Sequence, residues 1–226
     1  MIGSTILYWL GMFSSAYIAL PLLLVLTRWR GHDAIRRRTG WYVLFNALFS
    51  LLAYAPTSLI SNNILLFYIA SPLYLLIVYR VFEAMVGWTD QVPTAWQLIR
   101  WLIAGYWVFV IVDMLWLEDA QRAISQNIYL PEKALVVSMA FYILNRFSRE
   151  ARTDFSSLWI SVGIGLNALL SLIILVYSPY VGAQPGGIGY FLWFGLGSMV
   201  SLVSYSFVTY GLWLHTPRYP PPRSVV

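Results

Sequence analysis

The sequence contains no cysteine. Disulfides, thiolate nucleophiles and Cys-ligated metals are therefore excluded. Its two histidines, His32 and His215, both sit at the edges of apolar stretches, so no His-rich metal or haem site is expected. Charge is scarce as well: 10% of the 226 residues are Asp, Glu, Lys or Arg, against about a quarter in a soluble domain. Missing too are the short signatures of catalysis. There is no HExxH, no phosphate-binding glycine loop, no Ser/His arrangement and no pair of carboxylates within one apolar stretch. The chain is accordingly expected to be no enzyme, with no metal and no cofactor.

What is present is apolar. Hydrophobic residues make up 60% of the chain, and so much apolar surface needs lipid as its solvent. A helix rises 1.5 Å per residue, so about 20 residues cross the hydrocarbon. Seven stretches are long enough, at about 5–27, 41–61, 64–86, 97–117, 129–147, 155–178 and 188–214. Pro56 with Ser61, Asn62 and Asn63 predicts a tight turn after the second. Pro93 lies in the loop before the fourth. Pro131 is placed in the first turn of the fifth, where proline removes no helical hydrogen bond. Pro179 and the run from Gly182 to Gly189 separate the sixth from the seventh, and Pro220, Pro221 and Pro222 predict a stiff, extended tail. The expected fold is all-α, a seven-transmembrane-helix bundle over 1–216 followed by a short Pro-rich tail, 217–226. No cleavable signal peptide is expected: the N-terminus lacks a basic region, and the first apolar stretch runs on to Thr27.

The basic residues set an orientation. With the N-terminus outside, the connections 28–40, 87–96 and 148–154 and the tail are cytoplasmic. All but two of the 14 Lys and Arg, Arg122 and Lys133, then fall on that side when the span ends are counted. The reverse orientation violates the positive-inside tendency almost throughout. Arg28, Arg30, Arg36, Arg37 and Arg38 crowd the first connection, and Arg146, Arg149 and Arg152 the fifth. Placement beside the membrane explains the net charge of +5 without a nucleic-acid partner. Trp29, Trp41, Trp88, Trp96, Trp116 and Trp213 lie near span ends, as an interfacial belt requires.

Charges inside spans are expensive, which makes them the first candidates for function. Arg80 and Glu83 lie three apart, so one helix face carries both and they can pair. That pair reads as an ion pair at the interface or as a switch at the cytoplasmic mouth. Asp113 reads as a solvated span-end residue, or as lining an outward cavity with Glu132 and Lys133. The seventh span holds no Lys, so the Schiff base of microbial rhodopsins cannot form there. Uncharged polar stripes are the stronger signal. Asn46, Ser50, Tyr54 and Thr57 share one face of the second span. The third span offers Tyr68, Ser71 and Tyr74; the sixth Ser161, Gly163, Gly165, Asn167 and Ser171; the seventh Gly195, Gly197, Ser198, Ser201, Tyr205 and Thr209. Such stripes serve close helix packing, or they line a mostly apolar pocket with a few convergent polar groups. The candidate pocket residues are Asn46, Ser50, Tyr54, Tyr68, Ser71, Tyr74, Asn167, Ser201 and Tyr205.

Spans two and three carry a resemblance. From Trp41 to Arg80 an aromatic, apolar helix is followed by Ser61-Asn62-Asn63 and then by Leu66-Phe67-Tyr68-Ile69-Ala70-Ser71-Pro72-Leu73-Tyr74. This resembles uncharacterised bacterial seven-helix integral membrane proteins, which look like the membrane sensory halves of some histidine kinases. Phe155 to Asn167, with Trp159, Ile160 and Gly163, is similar to their sixth helix. The closing aromatic helix with its basic tail is similar to theirs too. Tyr74 stands where that family often has a carboxylate, and Asn167 and Ala168 stand where it commonly has a Tyr or another polar group.

The resemblance implies a multi-pass protein of the bacterial inner membrane. The expected role is a sensory or signalling module whose signal passes to a separate protein partner, in the membrane or at the cytoplasmic Arg-rich loops. An accessory or assembly subunit of a larger membrane complex is the alternative, and a small-solute carrier a weaker third.

Overall fold

The structure is a computed structural model, and it describes residues 2–27, 34–53, 63–86, 93–116, 124–149, 154–181 and 195–214. It is all-α, with no strand among the described residues. The helices are α1 (Ile2–Tyr17), α2 (Ala19–Thr27), α3 (Ala34–Ala53), α4 (Asn63–Val86), α5 (Thr94–Trp116), α6 (Ile124–Arg149), α7 (Phe155–Val181) and α8 (Gly197–Leu214). Among the described residues, four segments are long and apolar enough to cross a membrane: Trp9–Thr27, Tyr68–Val86, Thr94–Leu115 and Phe155–Tyr177. Large apolar side chains cover the outside of the bundle, among them Trp101, Leu115 and Phe141, each more than 70% exposed. In water such a surface would aggregate; against lipid tails it is ordinary.

Helix boundaries depart from the hydropathy reading at several places; α7, for one, runs on through Pro179 to Val181. The first apolar stretch is two helices joined at Ile18. Pro21 has no N–H to give the Tyr17 carbonyl, so the ladder is interrupted there. It resumes with Leu22 N–H to the Ile18 carbonyl at 3.3 Å. Helix α3 starts at Ala34 rather than near 41, so Arg36, Arg37 and Arg38 lie on a helix and not in a connection. Hydropathy measures the part of a helix that lipid covers, and a helix can run on beyond it. Helix α6 begins at Ile124, which puts Pro131 well inside it rather than in its first turn. The Asn127 carbonyl therefore lacks its usual i+4 donor.

Several helix ends are closed by side chains. Asp154 caps α7, accepting the Ser156 N–H at 3.2 Å and the Ser157 hydroxyl at 2.7 Å, as an N-cap carboxylate does. Arginines close two C-terminal ends, whose last carbonyls have no intrahelical donor. Arg146 Nη1 donates to the Val86 carbonyl of α4 at 2.8 Å. Arg36, buried, donates from Nη2 to the Leu212 carbonyl of α8 at 2.6 Å.

The helices pack as a ring: α1 and α2, α3, α4, α6, α7, α8 and back to α1 and α2, with α5 against the outside of α4 and α6. The closest seam is α7 on α8. A Cβ on Gly163 would sit 2.6 Å from the Ser204 carbonyl oxygen, and one on Gly211 would sit 2.8 Å from that of Ser156. The Ser156 hydroxyl donates to the Gly211 carbonyl at 2.7 Å across the same seam. Backbone approach of this kind, between small residues, drives helix association where lipid removes the hydrophobic term.

Gly163→Ala should therefore lower unfolding stability in detergent by about 1–3 kcal/mol, the scale of overpacking. Gly105 lies on α5 with open space around its missing Cβ, and Gly105→Ala should be neutral or stabilising by about 0.5–1 kcal/mol. Thermal unfolding of the two variants side by side checks the seam; equal effects would contradict it.

Candidate functional site

Inside the ring, α3, α4, α6 and α7 enclose a cleft of about 130 Å³. Its lining combines aromatics (Phe45, Phe49, Tyr74, Tyr129) with Asn46, Ser71, Glu132, Lys133 and Asn167. Glu132 is the centre, only 1% exposed. Lys133 Nζ donates to its Oε1 at 2.6 Å, and the Ser71 hydroxyl bonds its Oε2. The Tyr106 hydroxyl of α5 stands 2.6 Å from the Ser71 hydroxyl and 3.2 Å from the Ile128 carbonyl, and its one proton serves one or the other. Lys133 Nζ stands 4.2 Å above the Tyr74 ring, in cation–π geometry. Both charges of this pair are therefore met twice, as a charge withdrawn from water requires.

A tyrosine group forms the wall beside the cleft. Tyr42 of α3, Tyr74 of α4 and Tyr205 of α8 are all buried. The Tyr42 and Tyr74 rings lie 6.0 Å apart. The Tyr74 hydroxyl is buried with no hydrogen-bond partner among the described residues. Asn167 lines the cleft with Tyr74, and Tyr205 belongs to the same buried core as both tyrosines. The interior thus offers hydroxyl and amide groups from six helices.

The polar stripes of the sequence separate into two groups. Asn46, Ser71, Tyr74 and Asn167 come together on the cleft, with Tyr205 behind them. Ser50 is half-buried and does not line it. Ser201 donates to its own helix, at the Gly197 carbonyl, 2.9 Å. Tyr68 is buried and donates to Asp113 Oδ2 at 2.9 Å, so Asp113 faces α4 and takes no part in the cleft that Glu132 and Lys133 line. Tyr54 and Thr57 lie outside the described residues, as do Pro56, the connections 28–33 and 150–153, and the tail. Sequence reasoning missed Tyr42, Tyr106 and Tyr129. Tyr42 extends the Asn46 and Ser50 stripe back by one turn, and Tyr106 lies two turns before Asp113, so helical spacing held the signal for both.

A second polar centre sits at the other end of α4. Glu83 Oε2 receives Arg38 Nη1 at 3.0 Å and Arg80 Nη1 at 2.9 Å, and its Oε1 receives Arg100 Nη2 at 3.1 Å and the Tyr79 hydroxyl at 3.0 Å. Tyr79 in turn accepts Arg100 Nε at 2.6 Å and Trp96 Nε1 at 3.1 Å. The Arg80–Glu83 pair is therefore one limb of a network joining α3, α4 and α5.

No protein-family model matches the chain, and no curated protein or solved structure matches it. Among the described residues no cluster of His, Cys, Asp and Glu is arranged to hold a metal.

Glu132→Ala would leave the Lys133 ammonium and the Ser71 hydroxyl facing an emptied carboxylate position. It should cost about 3–5 kcal/mol, the range for breaking a buried pair. Ser201→Ala, which removes only a bond within its own helix, should cost less than about 1 kcal/mol. Denaturant unfolding in mild detergent distinguishes them, and a loss below about 1 kcal/mol for Glu132→Ala would show that the pair does not hold the interior together.

Proposed function

We propose that the chain is a seven-span sensory module of a bacterial cytoplasmic membrane, with its N-terminus outside, and that it signals through a separate protein. The observation that carries this reading is the cleft around Glu132. It gathers a buried ion pair, two amides and several hydroxyls among aromatic walls, the composition of a small-molecule site. Simple helix packing calls for small residues and scattered hydrogen bonds, not a carboxylate and a lysine held together in the interior. The second support is the position of Glu83 on the helix that also carries Ser71 and Tyr74. Between Tyr74 and Glu83 the helix rises about 14 Å, so one rigid element touches both the cleft and the arginine-rich end. A ligand that favours one position of α4 would shift the arginine network with it, provided it binds the two positions unequally. The resemblance of the third and sixth spans to kinase sensory halves points the same way.

The absence of cysteine makes the topology directly testable. In intact cells, Ser61→Cys should react with a membrane-impermeant maleimide, and Thr153→Cys should react only after the membrane is opened. Reaction of both, or the reverse pattern, would refute the N-out arrangement. The binding reading is checked by screening small polar solutes for thermal stabilisation of the purified protein. A solute that stabilises the wild type should fail to stabilise Asn46→Leu or Tyr74→Phe, while the unliganded variants unfold within a few degrees of it, as a change of about 1 kcal/mol implies. Should no solute act, and the chain be stable only with a stoichiometric second protein, the accessory-subunit reading would replace this one.

A further inference from the structure

Of the 14 Lys and Arg residues in the chain, all but one are arginine. The exception is Lys133, the cation that lines the Glu132 cleft. That choice bears on what the cleft can hold. A guanidinium is a planar fork of five N–H donors, matched to the two oxygens of a carboxylate or phosphate. An ammonium is a compact point of charge with three donors. Lys133 Nζ gives one N–H to Glu132 Oε1 at 2.6 Å and stands 4.2 Å over the Tyr74 ring. A third N–H is left, enough for one acceptor atom and too little to grip an oxyanion at both oxygens.

The two charges do not meet a ligand equally. The Glu132 side chain is 1% exposed, and both its oxygens have donors, from Lys133 and Ser71. The Lys133 side chain is 17% exposed. Among the described residues no further charged side chain lines the cleft, so the pair leaves it with no net charge. An ion that entered would leave one charge unbalanced in a membrane interior, where charge is expensive. A neutral molecule brings none. The other polar groups offer both an acceptor and a donor. Asn46 spends its Nδ2 on the Tyr42 carbonyl at 2.8 Å, which leaves its Oδ1 as an unspent acceptor among the described residues. The Tyr74 hydroxyl is buried without a partner among them, a state that costs free energy until an acceptor arrives. Phe45 and Ala70 supply apolar wall. The volume, about 130 Å³, is close to that of a cavity of about 150 Å³ that admits benzene, so about six non-hydrogen atoms fit.

We infer that the ligand of this cleft is uncharged, a molecule of about six non-hydrogen atoms in which a carbonyl oxygen stands beside an N–H donor; the inference rests on the reading of the cleft as a small-molecule site. A primary amide with a short alkyl end is the type. Its oxygen, with two lone pairs, accepts from Lys133 and from the Tyr74 hydroxyl. Its N–H donates to Asn46 Oδ1, and its alkyl end lies against Phe45 and Ala70. Glu132 stays sealed and holds the ammonium in place. Such a molecule reaches an intramembrane site without carrying a charge through lipid.

The test uses three probes of one shape: isobutyramide, which is neutral, isobutyrate, an anion, and isobutyramidinium, a cation. Each is titrated into the purified full-length chain in mild detergent at neutral pH, and the rise in the unfolding midpoint gives an apparent affinity. The amide should bind about tenfold more tightly than either ion, since an unbalanced buried charge costs more than one hydrogen bond returns. Asn46→Leu should weaken the amide about fivefold, the worth of one neutral hydrogen bond. Glu132→Gln combined with Lys133→Met keeps the volume and leaves neither charge unpaired; it should weaken the amide about tenfold, the loss of a hydrogen bond to a charged group. If that double variant fails to fold, Asn46→Leu still decides. Isobutyrate or isobutyramidinium binding as well as the amide, with an effect that Asn46→Leu abolishes, would overturn the neutral class while leaving the cleft a ligand site. Silence from all three probes overturns the inference too, and the wider solute screen then judges the sensory reading by itself. An amide effect undiminished in Asn46→Leu would come from the micelle and would overturn it as well.

Discussion

A carboxylate withdrawn from water must be surrounded by donors, and α4 is fixed by two that obey this constraint. Glu132 of α6 reaches it through Ser71, and Glu83 of α4 itself draws Arg38 from α3 and Arg100 from α5. Inside a bilayer no solvent can take over if such a partner is lost, so each network restricts several helices together. Helices α3, α5 and α6 are each tied to α4 by at least one charged or hydroxyl contact. The opposite side of the ring is held differently. There α7 and α8 meet backbone to backbone at Gly163 and Gly211, with tryptophan and phenylalanine stacked beside them at Trp159 and Phe207, 5.1 Å between ring centres. One side of the bundle is polar and networked, the other close-packed and largely without charge. The cleft around Glu132 lies on the first side.

The arginines illustrate how much of this could be read in advance. Their alternation along the chain predicts an orientation, because the translocation machinery responds to charge in short loops whatever the fold. Their structural employment was hidden. Arg36 looked like one of five loop charges, yet it is buried against the end of α8, 176 residues away. Arg38 and Arg100 lie 45 and 17 residues from Glu83, and no local pattern links them. Arg80 was visible as a partner only because i and i+3 share a face. Local spacing reveals pairs within one helix, and partners brought by the fold remain unseen.

The same division applies to the interior. Asn46, Ser71, Tyr74 and Asn167 stood out because a polar group inside an apolar helix turns inward, and they do meet. Ser201 obeyed the same rule and yet bonds its own backbone, since Ser can satisfy itself within one turn. Tyrosines were underrated because in membrane proteins they also populate the interface. Tyr42, Tyr106 and Tyr129 are all at the cleft or against it, and nothing in their local sequence separates them from belt residues such as Trp41. The true centre, Glu132 with Lys133, looked like a helix start, because Pro131 beside them is a common first-turn residue. The helix in fact begins a full two turns earlier, which carries the pair from the rim into the interior.

Proline also bears on how the two centres of α4 could communicate. Pro72 lies within α4, between Ser71 and Tyr74. It leaves the Tyr68 carbonyl without its i+4 donor and weakens the ladder at that level. From Tyr74 to Val86 the helix has no further proline and stands as one rigid arm, carrying Tyr79, Arg80 and Glu83. On the proposed sensory reading, a change of contacts at the cleft would act on the short end of a lever whose compliant point is beside it, and Glu83, which meets three guanidinium groups, would register the movement at the far end. On this view the excess of arginine serves three tasks at once. It would orient the chain in the membrane, it closes the ends of α4 and α8, and it gives Glu83 three partners.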